Sequence, residues 1–389
     1  MAINYLSLVE KFGTQVTTPD DLKRFEQVTG HKPRRFMRRG IVFSHCELNL
    51  ILDRHERGQP FFLYTRRRPS SDSMHIGHTI PFEFTKWLQD VFDVPLIIML
   101  TDDEKYIFSE KKTIDEVRSY SIANCKYIIT IGFNSKKNFI FSDYDFMGGA
   151  FYRNVTRISK HITLNVARAV SNIGKIHFGA VQGATSFASS FPHIFGTDEV
   201  ISNSIPALIP CAIDQDPKMS ASVAASAMFM HDEPSTIKNN IIRFAFSGGQ
   251  LNEAEQREKG EDTDKDVSYQ YLTFFLEDDE ELEKIKKEYS SGEMLTGTLK
   301  AKCIAELQVY VKGFQERRAK VTDEIVADFM SQKPLVWGGN PNVTVVARKG
   351  ENEKPSEEAA EGTIKLTKNQ EKNLAKKKAV AEKKAAKKQ

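Results

Sequence analysis

Two apolar runs of strand length, FFLYT at 61–65 and VPLIIMLT at 94–101, flank IPFEFTKWLQDVF at 80–92, whose apolar residues recur at helical spacing. Strand, helix, strand within about 40 residues is the βαβ unit of a doubly wound parallel sheet, and it leaves few other folds open. The pattern continues downstream. DEVRSYSIANCKYIITIGF (115–133) predicts a helix, NFIFSD (138–143) a short strand, 151–175 another helix, and LIPCAID (208–214) a further buried strand. The expected class is therefore α/β.

With 389 residues, 40% hydrophobic and 28% charged, the chain has enough apolar content for a sizeable core, which excludes fibrous and wholly disordered classes. Its apolar stretches fall far short of the roughly 20 residues a membrane helix needs, and the N-terminus carries Glu10 and Lys11, so no membrane or secretory route is expected. Cysteines at 46, 125, 211 and 303 are too scattered for a zinc knuckle, which suits a reducing cytoplasm. The net charge of +3 hides a division: residues 365–389 carry ten Lys against two Glu, leaving the body mildly acidic.

Composition sets the boundaries at 1–60 (short helices, with Thr18-Pro19-Asp20-Asp21 a helix start), 61–233 (α/β), 234–333 (charged, helical), 334–364 (linker) and 365–389 (Lys-rich tail). ArgArgPheMetArgArg at 34–39 reads as solvated surface. A Lys-rich end is either a polyanion contact or a solubility element.

Met74-His75-Ile76-Gly77-His78 sets two imidazoles three residues apart just after an apolar strand. On a first helical turn both rings share a face, free N–H groups favour an anion, and Gly77 permits close backbone approach. A His-x-x-His pair alone reads equally as a hydrogen-bonded surface pair. Lys218-Met219-Ser220-Ala221-Ser222 offers one ammonium and two hydroxyls to a polyphosphate, and alone is an ordinary loop. Together and in this order they resemble the HIGH and KMSKS signatures of class I aminoacyl-tRNA synthetases. With PSSDSMHIGHTIPFEFTKWLQDVFDVPLIIMLTDDEKY, SFASSFPHIF, IPCAIDQD, FAFSGG and VSYQYLTFFLEDD, the chain resembles the eukaryotic-type tryptophanyl-tRNA synthetases over most of 4–333.

That resemblance implies a Rossmann-like catalytic, nucleotide-binding domain at 61–233, a helical anticodon-binding domain at 234–333, a homodimer, and ATP with Mg²⁺ carried on the nucleotide and no protein metal site. Its partners would be tryptophan and tRNA(Trp), with no DNA and no membrane. It implies that His75, His78, Lys218 and Ser220 are catalytic, and that Arg67, His75, Gly77, His78, Lys218, Met219, Ser220 and Ser222 hold the nucleotide. Tyr64, Met99, Glu104, Gln182 and Gln215 match positions that read the substrate's indole N–H and ammonium. Without the family, Tyr64 would read as core and Glu104 as a solvated loop carboxylate.

Three departures fall in this region. Arg66-Arg67-Arg68 replaces a usual Gly-Arg-Gly, crowding the approach of ATP. Met99 stands where a glutamine is usual, and a thioether is a weak acceptor, so looser tryptophan selection is expected. Gln215 runs almost directly into Lys218, so a helix and strand unit of about 30 residues is missing relative to the family. The alternative reading is a catalytically reduced, synthetase-like tRNA-binding protein or truncated isoform; a tyrosine-specific relative fits AlaIleAspGlnAsp and ThrAspAspGluLys less well.

Overall fold

The computed structural model describes residues 9–10, 13–163, 172–211, 227–247, 250 and 252–338. The chain divides into two units, 1–350 and 351–389, and the second lies outside the described residues. Strands β1 (Gln15–Val16) and β2 (Ser44–His45) form a small antiparallel pair. The main sheet is built from β3 (Phe62–Arg67), β4 (Leu96–Leu100), β5 (Asn138–Ser142) and β6 (Ala207–Leu208), in the order β5-β4-β3-β6, all parallel.

Successive side chains enter opposite layers. Phe61, Leu63, Leu96, Ile98, Leu100 and Ile140 join one buried cluster, while Phe62, Tyr64, Ile97, Met99, Phe139 and Phe141 join the other. Both faces are covered, which is why these strands read as unbroken apolar runs rather than as an alternation. The helix between the first two strands, Thr79–Phe92, ends on Asp93 in the left-handed conformation (φ 54, ψ 45), whose N–H bonds to the Gln89 carbonyl. A capping box of Thr113 and Glu116 starts the helix Ile114–Thr130 between β4 and β5.

Two expected elements fall only partly within the described residues. Of LIPCAID, Leu208 lies in the strand Ala207–Leu208, paired with Phe62 and Leu63 at the end of the described sheet, and Ala212, Ile213 and Asp214 lie outside the described residues. Pro206 and Pro210 bracket that pair and lack the N–H needed to lengthen it. Of the helix expected over 151–175, residues 164–171 lie outside the described residues; the described part holds Gly149–Ser159, and Ile173–Ala184 starts at Asn172, whose side chain accepts from the Lys175 N–H.

The basic step at 34–39 is not the solvated surface expected. Arg35 is buried, and its Nε donates to the Phe274 carbonyl at 2.8 Å. Arg39 Nη1 donates to the Thr273 and Leu276 carbonyls at 2.7 and 2.8 Å, and Arg38 and Arg39 share the Asp279 carboxylate. These guanidinia satisfy the open C-terminal carbonyls of the Val267–Phe275 helix and join the N-terminal segment to the helical one. The long helix Thr296–Arg318 packs on Pro234–Phe244, Val267–Phe275 and Ile114–Thr130, so one apolar cluster runs from Phe82 and Leu88 to Leu299 and Phe314. Tyr310 on that helix donates to Thr79 Oγ1 at 2.6 Å, beside the histidine turn.

Candidate active site

The parallel register sets Arg66 beside Met99 and Arg67 beside Leu100, so the C-terminal ends of β3 and β4 open together. In a doubly wound sheet this is the edge where ligands bind. Of the sequence-predicted residues, Tyr64, Arg67 and Met99 lie on these two strands and Glu104 follows β4. Tyr64 is buried, and its hydroxyl donates to the Met99 Sδ at 3.4 Å; the Thr185 hydroxyl donates to the same sulfur at 3.2 Å. Burial raises the Tyr64 phenol well above its ordinary pKa, keeping it protonated. Its proton is committed to sulfur, and its oxygen lone pairs remain able to accept.

Glu104 lies in the Asp102–Ile107 helix that follows β4, with 7% of its side chain exposed. It is not the solvated loop carboxylate of the bland reading. Thr101 Oγ1 donates to Oε2 at 2.7 Å, Arg66 Nη1 reaches Oε2 at 3.1 Å, and Arg68 Nε reaches Oε1 at 3.3 Å. Arg67 points elsewhere: it is buried, and its Nε donates to Asn124 Oδ1 at 2.9 Å. Asn124 in turn donates to the Ser71 carbonyl at 2.7 Å, tying the strand end to the loop that carries the histidines. Gln182 is half-buried on the Ile173–Ala184 helix, which packs on Asp102–Ile107 and brings Thr185 to Met99.

His75 is extended and Ile76–His78 form a 3₁₀ turn leading into Thr79–Phe92. Side chains three apart eclipse on such a turn. The two rings accordingly stack, with centroids 3.3 Å apart and 28° between planes. A Cβ on Gly77 would meet the His75 ring at 3.3 Å, so the glycine makes room for the stack. Burial first, then Arg67 and His75, push the His78 imidazole down to about 2, so it is neutral at physiological pH. His78 Nδ1 is buried with no hydrogen-bond partner among the described residues.

The turn is also stitched to a distant segment. Ile76 N–H bonds to the Met228 carbonyl at 2.8 Å, Met230 N–H to the Met74 carbonyl at 2.9 Å, and His75 faces Phe229 across an antiparallel bridge. Gln215, Lys218, Met219, Ser220 and Ser222 lie outside the described residues.

Sequence reasoning passed over Thr185 and Asn124, which carry no motif, and over Thr101, which lies inside ThrAspAspGluLys but was given no role of its own. It also passed over Asp102, Asp103 and Asp143, buried carboxyls whose oxygens lie within 4.8 Å of one another. Burial, more than their mutual repulsion, raises all three, Asp143 most. They are close enough to share a cation. The signal available was ThrAspAspGlu at the end of one strand and SerAsp at the end of its parallel neighbour.

No protein-family model matches the chain. It is 46% identical over 391 residues to the cytoplasmic tryptophan-tRNA ligase of Saccharomyces cerevisiae, covering 90% of each chain. With the cytoplasmic tryptophan-tRNA ligase of Homo sapiens it shares 46% identity over 376 residues, covering 86% of this chain and 78% of that one. The Saccharomyces alignment holds more positions than this chain contributes, so that relative has residues with no counterpart here. Among solved structures, a tryptophanyl-tRNA synthetase from Plasmodium falciparum matches with TM-score 0.78 and 38% identity, over 88% of this chain and 97% of that one. One from Trypanosoma brucei matches with TM-score 0.72 and 40% identity, over 85% and 98%. The α/β sheet with its surrounding helices, the histidine turn and these likenesses together establish that the chain belongs to the tryptophan-tRNA ligase family of aminoacyl-tRNA synthetases.

Proposed function

We propose that this chain activates tryptophan with ATP and transfers it to tRNA(Trp), in the cytoplasm. The observation that supports this best is the convergence of Tyr64, Met99, Glu104 and Arg67 with the stacked His75 and His78 at one sheet edge. In this reading the tryptophan carboxylate attacks the α-phosphate of ATP, giving the adenylate and pyrophosphate, and the acyl group then moves to the terminal ribose of the tRNA. Little covalent work falls to the protein; positioning and donors aimed at developing charge do the rest.

Tyr64 presents its oxygen to the indole N–H, while Glu104, Gln182 and Gln215 take the ammonium. His75 and His78 serve the triphosphate as neutral hydrogen-bonding rings, because burial withholds the charge from His78. Its Nδ1, without a hydrogen-bond partner among the described residues, fits a polar ligand at this turn. Positive charge comes from Arg67, fixed by Asn124, and from Lys218, which with Ser220 and Ser222 steadies the leaving pyrophosphate. Mg²⁺ on the nucleotide would neutralise phosphate charge. Residues 61–233 form the catalytic domain of a homodimer, 234–333 hold the anticodon stem, and the Lys-rich 365–389 adds salt-dependent RNA affinity.

A second reading, a catalytically reduced tRNA-binding relative, is favoured by the unmatched positions of the Saccharomyces alignment and the short run from Gln215 to Lys218. Tryptophan-dependent ATP–pyrophosphate exchange separates the two. It is measured on the full chain and on a version with a family-like helix and strand inserted after Pro217, with tyrosine as control. Exchange in the chain as it stands is expected. Recovery only in the extended version supports the second reading, and exchange with tyrosine alone would overturn both.

A further inference from the structure

Glu104 is the carboxylate assigned to the substrate ammonium, and in this chain both its oxygens already carry cations: Arg66 Nη1 at 3.1 Å from Oε2 and Arg68 Nε at 3.3 Å from Oε1. Thr101 takes a further position on Oε2 at 2.7 Å. A carboxylate offers about four lone-pair sites; hydrogen bonds from Arg66 and Thr101 occupy Oε2, and the Arg68 guanidinium stands as an ion partner beside Oε1, before any ligand arrives. The carboxylate is only 7% exposed, where losing an ion partner is costly, while the arginine side chains are 31% and 33% exposed. Arg68 is further steadied over the Phe108 ring, its guanidinium carbon 5.6 Å from the centroid.

We propose that Arg66 and Arg68 act as a built-in competitor for the ammonium subsite. They satisfy Glu104 in the free protein, so the α-ammonium of an amino acid gains little by binding there. Two guanidinia around one carboxylate also leave an excess positive charge, which favours a ligand's carboxylate and disfavours its ammonium. The site then takes indole carboxylates lacking the α-amino group nearly as well as tryptophan. This inference rests on the ligase reading and deepens it, since it concerns how that site weighs the two charged ends of its substrate.

The experiment is equilibrium binding to the full chain of tryptophan and of indole-3-propionate, which lacks the ammonium, in the parent and in the Arg66→Gly/Arg68→Gly double variant. The parent is expected to bind the two within about threefold of each other. The double variant is expected to bind tryptophan at least tenfold tighter and indole-3-propionate no tighter, the latter also reporting that its pocket is folded. An Arg66→Gln/Arg68→Gln variant, which keeps side-chain bulk, is expected to move the ratio the same way. Tryptophan preferred tenfold or more by the parent, or a ratio unmoved in both variants, overturns the competitor alone. Binding of neither indole ligand to the parent overturns the ligase reading and this inference with it.

Discussion

A sulfur that accepts two hydroxyls is an uncommon centre for a selective pocket, and Met99 is such a sulfur. A thioether accepts weakly, so Tyr64 and Thr185 are oriented by it with little energy. Met99→Gln supplies a stronger acceptor and a donor at the same depth. One good hydrogen bond, worth about 0.5–1.5 kcal/mol, should raise kcat/KM for tryptophan in pyrophosphate exchange roughly three- to tenfold. His78 gives a pH prediction. Its folded pKa is depressed, so the unfolded chain takes up the proton first, near 6.5. The stability tied to the neutral ring is whole above that pH and drains away as pH falls below it. His78→Gln should therefore lose less melting temperature than the parent between pH 8 and pH 5, as thermal melts at the two pH values will report. Tyr64 and the histidine turn are readable in the sequence because motif and strand pattern coincide there. The arginines flanking Arg67 are readable only as misfits, since their partner lies across a strand register that local spacing does not contain.

At the scale of elements, β3, β4 and β5 are readable because burial on both faces leaves an apolar run that no surface segment carries. β6 is less so, because Pro206 and Pro210 bracket its described pair and interrupt the apolar run there. Least readable is the arginine step, whose acceptors are backbone carbonyls at the end of a helix more than two hundred residues onward. Carbonyls have no sequence signature, so the cluster reads as surface until the helix end is in place. Arg35→Ala removes a buried donor from the Phe274 carbonyl and the partner of Glu277. The expected loss is about 1–3 kcal/mol of unfolding free energy, seen as a lower urea midpoint with unchanged slope.

At the scale of the whole molecule, the apolar cluster under the sheet continues into the C-terminal helices, and Tyr310 reaches Thr79 next to the histidine turn. Removing residues 365–389 should raise the tRNA dissociation constant at low salt and leave adenylate formation unchanged; filter binding across a salt series checks the first and pyrophosphate exchange the second. The pairing of Met74–Ile76 with Met228–Met230 has a consequence for how such chains can change length. Leu208 is moored to β3 and Met228 to the turn that follows β3, so the chain between them leaves and returns at fixed posts on one neighbourhood of the fold. Closing a loop between fixed posts costs only about 0.6 kcal/mol more for each doubling of its length. A change of chain length between Leu208 and Met228 is therefore bounded on both sides by backbone pairings made to β3 and to the turn that follows it.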